Sequence, residues 1–549
     1  MSLPRATLLL VGAFVLFILL PLGGHGLWIP DETRYAQIAQ AMLHSGDWVA
    51  PQLLGLRYFE KPVAGYWLIA AAQALFGENL FGVRLASALA TAASTLLTAL
   101  LARQLWQDPR KTGAAALLYL SFALVAGQAG YSNLDPQFTL WVNLSQVALW
   151  LALAAGSRNA RLGLWALLGV ACAMGFLTKG FLAWLLPVIV AVPYALWQKR
   201  WGELLRYGPL AIGVAILLAL PWALAVHLRE PDYWHFFFWH EHIRRFAGED
   251  AQHNGAWWFF LPILFAGSLP WTLLVFPALR HGWQQRRDRR SGFLLLSLAL
   301  PFLFFSLSRG KLPTYILPCF LPLALLMANA LVEALAQGRL RLLRANGALN
   351  LTLGALLLLA LAWLQLTRPA YHDEPLKLAL VALVGLAWVA CGALQLARPA
   401  QCWAAPALAL WLLVALLPAA LPRQLVNSKM PDQFVAAHLD ELRGARHLLS
   451  NDLGAAFALA WRLQRTDVTL LNTEGELKYG LAQPEGTGRS LAPEQLAGWL
   501  AQARRDGPVG VLIRINSKND AEELALLPAA ATRYREGQLV ILLVPQGGP

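Results

Sequence analysis

Charge is scarce in this sequence: 14% of the residues are Asp, Glu, Lys or Arg, against 58% hydrophobic ones. With a mean hydropathy of +0.50 over 549 residues, that shortage excludes an ordinary soluble globular protein. Cysteine is scarcer still. Cys172, Cys319, Cys391 and Cys402 all fall in apolar segments with no paired or CxxC spacing, so the sequence offers neither a disulfide framework nor a cysteine zinc cluster. The net charge of +13 forms no helical stripe and no basic tail. That excludes nucleic acid as the partner and leaves topology and anionic lipid as its meaning. Repeats and low-complexity tracts are absent as well.

What is abundant is the long apolar run. Segments near the ~20 residues needed to cross a bilayer core recur at about 7–22, 80–102, 113–130, 136–155, 162–177, 180–197, 209–227, 257–279, 292–308, 312–335, 347–366, 377–397 and 402–421. The expectation is an α-helical polytopic membrane domain over residues 1–422 with thirteen spans, including tight hairpins at 177/180 and 308/312. The first run follows Arg5 and resembles a signal sequence, but an uncleaved anchor is the preferred reading because so many spans follow it.

Basic residues mark one side of this array. Arg103, Arg110 and Lys111, then Arg158 and Arg161, Lys199, Arg200 and Arg206, the Arg280–Arg290 group, Arg339, Arg341 and Arg344, and Arg398 all lie in short loops of the same parity. The positive-inside rule assigns these loops, and the amino terminus, to the cytoplasm. Long loops at about 23–79 and 228–256 then lie on the outer side, the first with a short apolar stretch at 62–76 that fits an interfacial helix. Residues 423–549 change character. Strand-like runs at Val468–Leu471, Val509–Ile513 and Leu539–Val544 alternate with helix-like stretches at 432–443, 453–463 and 492–505, so a small outer-side α/β domain is expected.

The outer side carries its own charged set. Asp31, Glu32 and Arg34 come directly after the first span, and these carboxylates can serve as a base, bind a cation or orient a substrate. The bland alternative is helix capping, with Asp31 as the N-cap and Arg34 one turn on. Glu60 and Lys61 precede the interfacial stretch, Asp135 sits at a hairpin tip, and Lys179 and Lys311 flank apolar spans. Charge so close to hydrocarbon is unfavourable unless paired or used, and these cations lie on the side that the positive-inside rule leaves poor. Anion binding explains them better: Arg34, Lys61, Lys179, Arg245 and Lys311 together suit one or two phosphates. The loop Tyr233–Phe246 is dense in aromatics, which read first as a membrane belt; its His240-Glu241-His242 triplet lacks the i, i+4 spacing of a helical zinc motif.

Four motifs in order, Asp31-Glu32-Thr33-Arg34-Tyr35, Tyr58-Phe59-Glu60-Lys61-Pro62, Glu241-His242-Ile243-Arg244-Arg245-Phe246 and Gly310-Lys311-Leu312-Pro313-Thr314-Tyr315-Ile316-Leu317-Pro318, resemble those of the lipid A aminoarabinose transferases within the GT-C superfamily. The resemblance implies transfer of 4-amino-4-deoxy-L-arabinose from undecaprenyl phosphate to lipid A phosphates at the periplasmic face of a bacterial inner membrane. Lipopolysaccharide loses negative charge thereby, as in polymyxin resistance. It implies catalytic roles for Asp31, Lys61 and Asp135, and substrate contacts from Arg34, Tyr35, Tyr58, Lys179, Arg245, Lys311 and Tyr315. It also implies a zinc ion on Glu60 and His242, and no nucleotide cofactor. Two other readings compete. One is a GT-C enzyme with a protein or glycan acceptor, for which a base such as Asp31 is indispensable. The other is a lipid or solute transporter, whose binding groups would sit near the midplane rather than at one interface.

Overall fold

The computed structural model describes residues 3–239, 255–528 and 531–547, with side chains from residue 7 onward. The chain forms two compact units, one of residues 1–22 and 84–420, the other of residues 23–83 and 421–549.

The first unit is helical. Among the described residues eight helices of the chain are long and apolar enough to cross a membrane, and three pairs bent at a short break bring the number to eleven. Polar caps start several of these helices: Asp108 accepts from the backbone of Arg110 ahead of Pro109, Ser157 from Ala160, and Asp288 from Arg290 and Ser291. The hairpin expected at 177/180 is present. Helix Arg158–Lys179 ends at Gly180, whose φ of +84° suits glycine, and helix Leu182–Trp197 follows.

Two runs expected as continuous spans are broken. Residues 113–130 divide into Pro109–Leu120 and Ala123–Ala129, bent by 64°, and residues 257–279 into Phe260–Gly267 and Thr272–Gln284, bent by 109°. Hydropathy is blind to such breaks, because the residues around them remain apolar. The freed backbone groups are satisfied inside the protein, as a low-dielectric setting requires. Ala123 N donates to Leu269 O at 2.8 Å, so the two breaks serve each other. Trp411 Nε1 donates to Leu120 O, and Asn346 and Asn350 both donate to Pro270 O at 3.1 and 2.9 Å. Helices Arg341–Thr367 and Pro375–Ala397 pack backbone to backbone: a Cβ on Gly392 would stand 2.3 Å from Leu351 N.

The second unit joins the first long loop to the tail. The loop contributes helix Asp31–Ser45, a two-stranded hairpin of β1 (Gln52–Leu53) and β2 (Leu56–Arg57), and helix Ala64–Phe76, which occupies the stretch expected to form an interfacial helix. The tail contributes β3 (His447–Ser450), β4 (Val468–Leu471), β5 (Ser490–Leu491), β6 (Val509–Arg514), β7 (Thr532–Glu536) and β8 (Leu539–Val544). They form one sheet in the order β5-β4-β3-β6-β8-β7. Strands β5, β4, β3 and β6 run parallel, β8 runs antiparallel to β6 and β7 antiparallel to β8, with Leu448 opposite both Val468 and Gly510. The small α/β domain expected over 423–549 is thus present, and helix Leu453–Leu463 makes the crossover that parallel β3 and β4 require.

The unit is wider than the tail alone, however. Helix Asp31–Ser45 has its apolar face covered by helix Leu453–Leu463, with Leu27, Ala36, Val83 and Trp461 in one buried cluster. Asp432, fully buried, accepts from Leu27 N at 2.7 Å and from Arg462 Nη2 at 2.7 Å. Ile29 N donates to Lys429 O, and Arg489 Nη2 to Leu54 O. A loop with that much apolar surface needs a partner, and the tail provides it.

Candidate active site

Most of the described residues singled out in the sequence gather in two constellations, one in each unit, and each is built on the end of a helix.

In the loop and tail unit, Asp31 is the first residue of its helix, not the N-cap; Pro30 holds that position. The carboxylate that accepts a backbone donor here is that of Glu32, which is fully buried and accepts from Trp28 N at 2.9 Å. Asp31 pairs instead with Arg34, one turn on, through Oδ1 and Nη2. The other terminal nitrogen of Arg34, Nη1, pairs with Glu476 Oε2 from the tail, a residue that sequence reasoning missed. The Tyr58 hydroxyl lies 3.4 Å from both Arg34 Nη1 and Glu476 Oε2, and Arg34 stands over the Tyr35 ring at 5.0 Å. Tyr35 in turn packs on Tyr66. Burial opposes the charge of Arg34, yet Tyr58, Glu476, Tyr35 and Asp31 hold its guanidinium above the ordinary arginine value. Burial pushes the Glu476 carboxyl up, with Glu60 adding to the effect and Arg34 opposing it. The buried Tyr58 phenol is also pushed well up, which makes it a hydrogen-bonding group and not a base at neutral pH.

Glu60 and Lys61 follow on the same loop. Lys61 Nζ donates to the Glu60 backbone carbonyl at 2.8 Å and stands 4.0 Å from Glu60 Oε2. His242 and Arg245 lie outside the described residues, so Glu60 is the one described member of the expected zinc pair. Among the described residues no three His, Cys, Asp or Glu side chains converge as a metal site would require. Glu60 by itself supplies one carboxylate toward such a set.

In the membrane unit, Asp135 begins helix Asp135–Ala154 and Lys179 ends helix Arg158–Lys179. Each charge therefore sits at the helix end that favours its sign. The two pair through Nζ and Oδ1, with side chains 12% and 13% exposed. Thr314 Oγ1 donates to Asp135 Oδ2 at 2.8 Å, a contact the sequence did not single out although Thr314 lies within a quoted motif. Lys179 Nζ stands over the Tyr315 ring at 4.8 Å and over Phe138 at 5.8 Å.

Lys311 is placed elsewhere than expected. Its ammonium turns inward onto the carbonyls of Phe305, Ser306 and Ser308 at the carboxyl end of helix Arg289–Leu307 and is 3% exposed. The four carbonyls that every helix leaves open explain this position, and burial holds the ammonium below the usual lysine value.

A helical membrane protein with carboxylate and cation pairs at helix ends, an acidic motif after its first apolar helix and an α/β tail has the make-up of a GT-C glycosyltransferase. Residues 6–237 match the dolichyl-phosphate-mannose-protein mannosyltransferase family model, and residues 426–543 match that of the arabinosyl transferase ArnT C-terminal domain. Solved ArnT from Cupriavidus metallidurans, described as bound to undecaprenyl phosphate, has the same fold, with a TM-score of 0.82 at 24% identity over 99% of each chain.

Closer relatives specify the kind. The undecaprenyl phosphate-alpha-4-amino-4-deoxy-L-arabinose arabinosyl transferase of Pseudomonas aeruginosa strain PAO1 is 65% identical over 549 residues, covering 100% of both chains. The protein of that name from Pseudomonas paraeruginosa is 66% identical over 541 residues, covering 98% of both. The chain belongs to the family of undecaprenyl phosphate-aminoarabinose arabinosyl transferases.

Proposed function

We propose that this chain transfers 4-amino-4-deoxy-L-arabinose from undecaprenyl phosphate to a phosphate of lipid A, at the periplasmic face of the inner membrane. The observation that carries the reading is the placing of Asp135, Lys179 and Thr314 together on the ends of apolar helices, where the headgroup of a lipid-linked sugar would lie. The positive-inside rule supports the orientation, with the amino terminus cytoplasmic and the tail outside. Thirteen crossings give that orientation if the shorter apolar helices Thr7–Gly23 and Leu182–Trp197 join the eleven.

In the reaction, an oxygen of the acceptor phosphate forms a bond to C1 of the sugar. The bond from C1 to the prenyl phosphate oxygen breaks, and undecaprenyl phosphate leaves with the electron pair. An anionic nucleophile has little need of a strong base; holding two phosphates against their repulsion is the larger task. Lys61, Lys179 and Arg245 fit that work, and Arg34 fits it where a phosphate shares its guanidinium with Asp31 and Glu476. Asp31 and Asp135 steady the developing positive charge on the sugar or position the acceptor, with Tyr35, Tyr58 and Tyr315 as polar aromatic lining. Were a zinc ion held here, Glu60 and His242 would hold it and it would supply fixed positive charge beside the phosphates; no step of the transfer depends on it.

The mannosyltransferase match over 6–237 favours, as a second reading, a hydroxyl acceptor on a protein or glycan. The test is to combine purified protein, undecaprenyl-linked aminoarabinose and lipid A, and to weigh the products. Lipid A heavier by one aminoarabinose, with undecaprenyl phosphate released, is expected. Unchanged lipid A with substrate crossing a bilayer would replace this reading with a transporter.

A further inference from the structure

Arg34 is occupied in a way that the transfer reading does not account for. Both of its terminal nitrogens are taken by carboxylates, Nη2 by Asp31 and Nη1 by Glu476, and its Nε is buried with no hydrogen-bond partner among the described residues. Asp31 is tied to Arg34 by the helix that carries both. Glu476 comes from the tail, more than four hundred positions along the chain, and its place is fixed by the fold of that domain. It sits in the single turn Gly475–Leu477, with Leu477 fully buried behind it, and Tyr479 packs against Phe59. Gly475 has a φ of +44°, and a Cβ there would stand 2.5 Å from Leu453. The carboxylate is presented by a turn with little freedom, and its side chain is 14% exposed.

One guanidinium between two carboxylates divides its charge between them. Were Glu476 absent, the planar fork of Arg34 would be free to close on Asp31 with both terminal nitrogens, the bidentate geometry that arginine prefers with a carboxylate. Asp31 would then be more fully neutralised and turned toward Arg34. With Glu476 in place, the guanidinium is drawn the other way, and Asp31, 35% exposed, keeps part of its charge for what approaches it. The Tyr58 hydroxyl, 3.4 Å from both partners of the tail-side pair, helps to hold that arrangement.

We infer that Glu476 is a positioning residue for the transfer reaction: acting through Arg34, the tail domain sets the orientation and the remaining charge of Asp31. The inference rests on the transferase reading and gives the tail a part in the chemistry as well as in packing. Glu476→Gln keeps the shape and one acceptor but removes the charge. It is expected to lower kcat about tenfold while leaving KM for the lipid-linked donor within about threefold, because the loss falls on the transition state and not on donor binding. Glu476→Asp, which keeps the charge one methylene short, is expected to recover most of the lost rate. Combined with Arg34→Lys, Glu476→Gln is expected to add little further loss, as residues acting through one another do.

The opposite results are equally definite. A lower KM for the donor with kcat unchanged would show Glu476 to be a stand-in for the lipid phosphate on Arg34, and would overturn the positioning role. An unchanged rate with a lowered thermal midpoint would show it to be a structural tie, and would overturn that role as well. A wild-type chain that transfers nothing in this assay sinks the transferase reading and this role with it, whereas normal wild-type transfer beside an unaffected Glu476→Gln sinks this role alone.

Discussion

Asp135 and Asp31 each begin a helix and each meet a cation, but their surroundings differ. Asp135 and Lys179 come from neighbouring membrane helices, one acid to one base, with the helix ends favouring both charges and Thr314 filling the second carboxylate oxygen. Asp31 shares its cation with a second carboxylate drawn from a domain far along the chain. The first pair is set by the packing of the membrane unit alone. The second is set only when loop and tail fold together, so its charge balance answers to residues that a reading of the membrane part would never include. Two similar acid and base pairs are thus built to different standards of independence.

Removing the carboxylate from the dependent pair has the largest expected effect. Asp31→Asn is expected to lower transfer about a thousandfold, about 4 kcal/mol of transition-state stabilisation, with folded protein retained. The measurement is the rate of mass gain by lipid A, and full activity would remove Asp31 from the mechanism.

Next in size is the tie between loop and tail. Asp432→Ala deprives Leu27 N and the half-buried Arg462 of this acceptor. It is expected to destabilise the loop and tail unit by about 3 kcal/mol, as the loss of one member of a buried ion pair does. Limited proteolysis of detergent-solubilised protein is expected to open the loop around 23–79 together with the tail. Cleavage in the tail while the loop stays protected would show that the two fold separately.

Much of this architecture was legible in the sequence. Runs such as 209–227, 347–366 and 377–397 announce themselves by length and apolarity, and the helices there follow the same bounds within several residues. In the tail, Val468–Leu471, Leu539–Val544 and helix 453–463 were readable because short apolar runs were bounded by turn residues. Strand β7 was not, since Thr532–Glu536 is an edge strand with little apolar pattern, and neither were the breaks near Ser121 and Leu269, whose cause lies in partners elsewhere in the chain. The site shows the same limit. Asp31, Arg34, Asp135 and Lys179 stood out because charge beside hydrocarbon demands a reason. Glu476 did not, because an acid in a polar loop after a strand is ordinarily a solvated residue, and only the tertiary fold brings it to Arg34. Lys311 stood out for the same reason as Lys179, yet its reason proved to be the open end of a helix.

The independent pair offers a smaller and sharper test. Lys179→Met keeps the bulk of the side chain but takes the ammonium from Asp135 and leaves it the Thr314 hydroxyl, and is expected to lower transfer about a hundredfold. Lys179→Arg, which keeps the charge, is expected to stay within about tenfold of wild type. If Lys179→Met behaved like wild type while Asp31→Asn was inactive, the membrane pair would be a packing feature and the chemistry would rest with the loop.

The smallest effect tests how fully the membrane pair is preset. Thr314→Val preserves shape and removes one hydroxyl, so Asp135 Oδ2 loses its 2.8 Å donor while Oδ1 keeps Lys179. A hydrogen bond to a charged acceptor contributes about 1.5 kcal/mol, which corresponds to about a tenfold loss of kcat if the carboxylate must be held by both oxygens. Thr314→Ser, with the hydroxyl restored, is expected to return nearly to the wild-type rate. Should Thr314→Val be as active as wild type, Lys179 and the end of helix Asp135–Ala154 would suffice to hold the carboxylate. The membrane pair would then be more independent still of its neighbours, and the contrast with Asp31, which relies on a distant domain for its partner's balance, would widen.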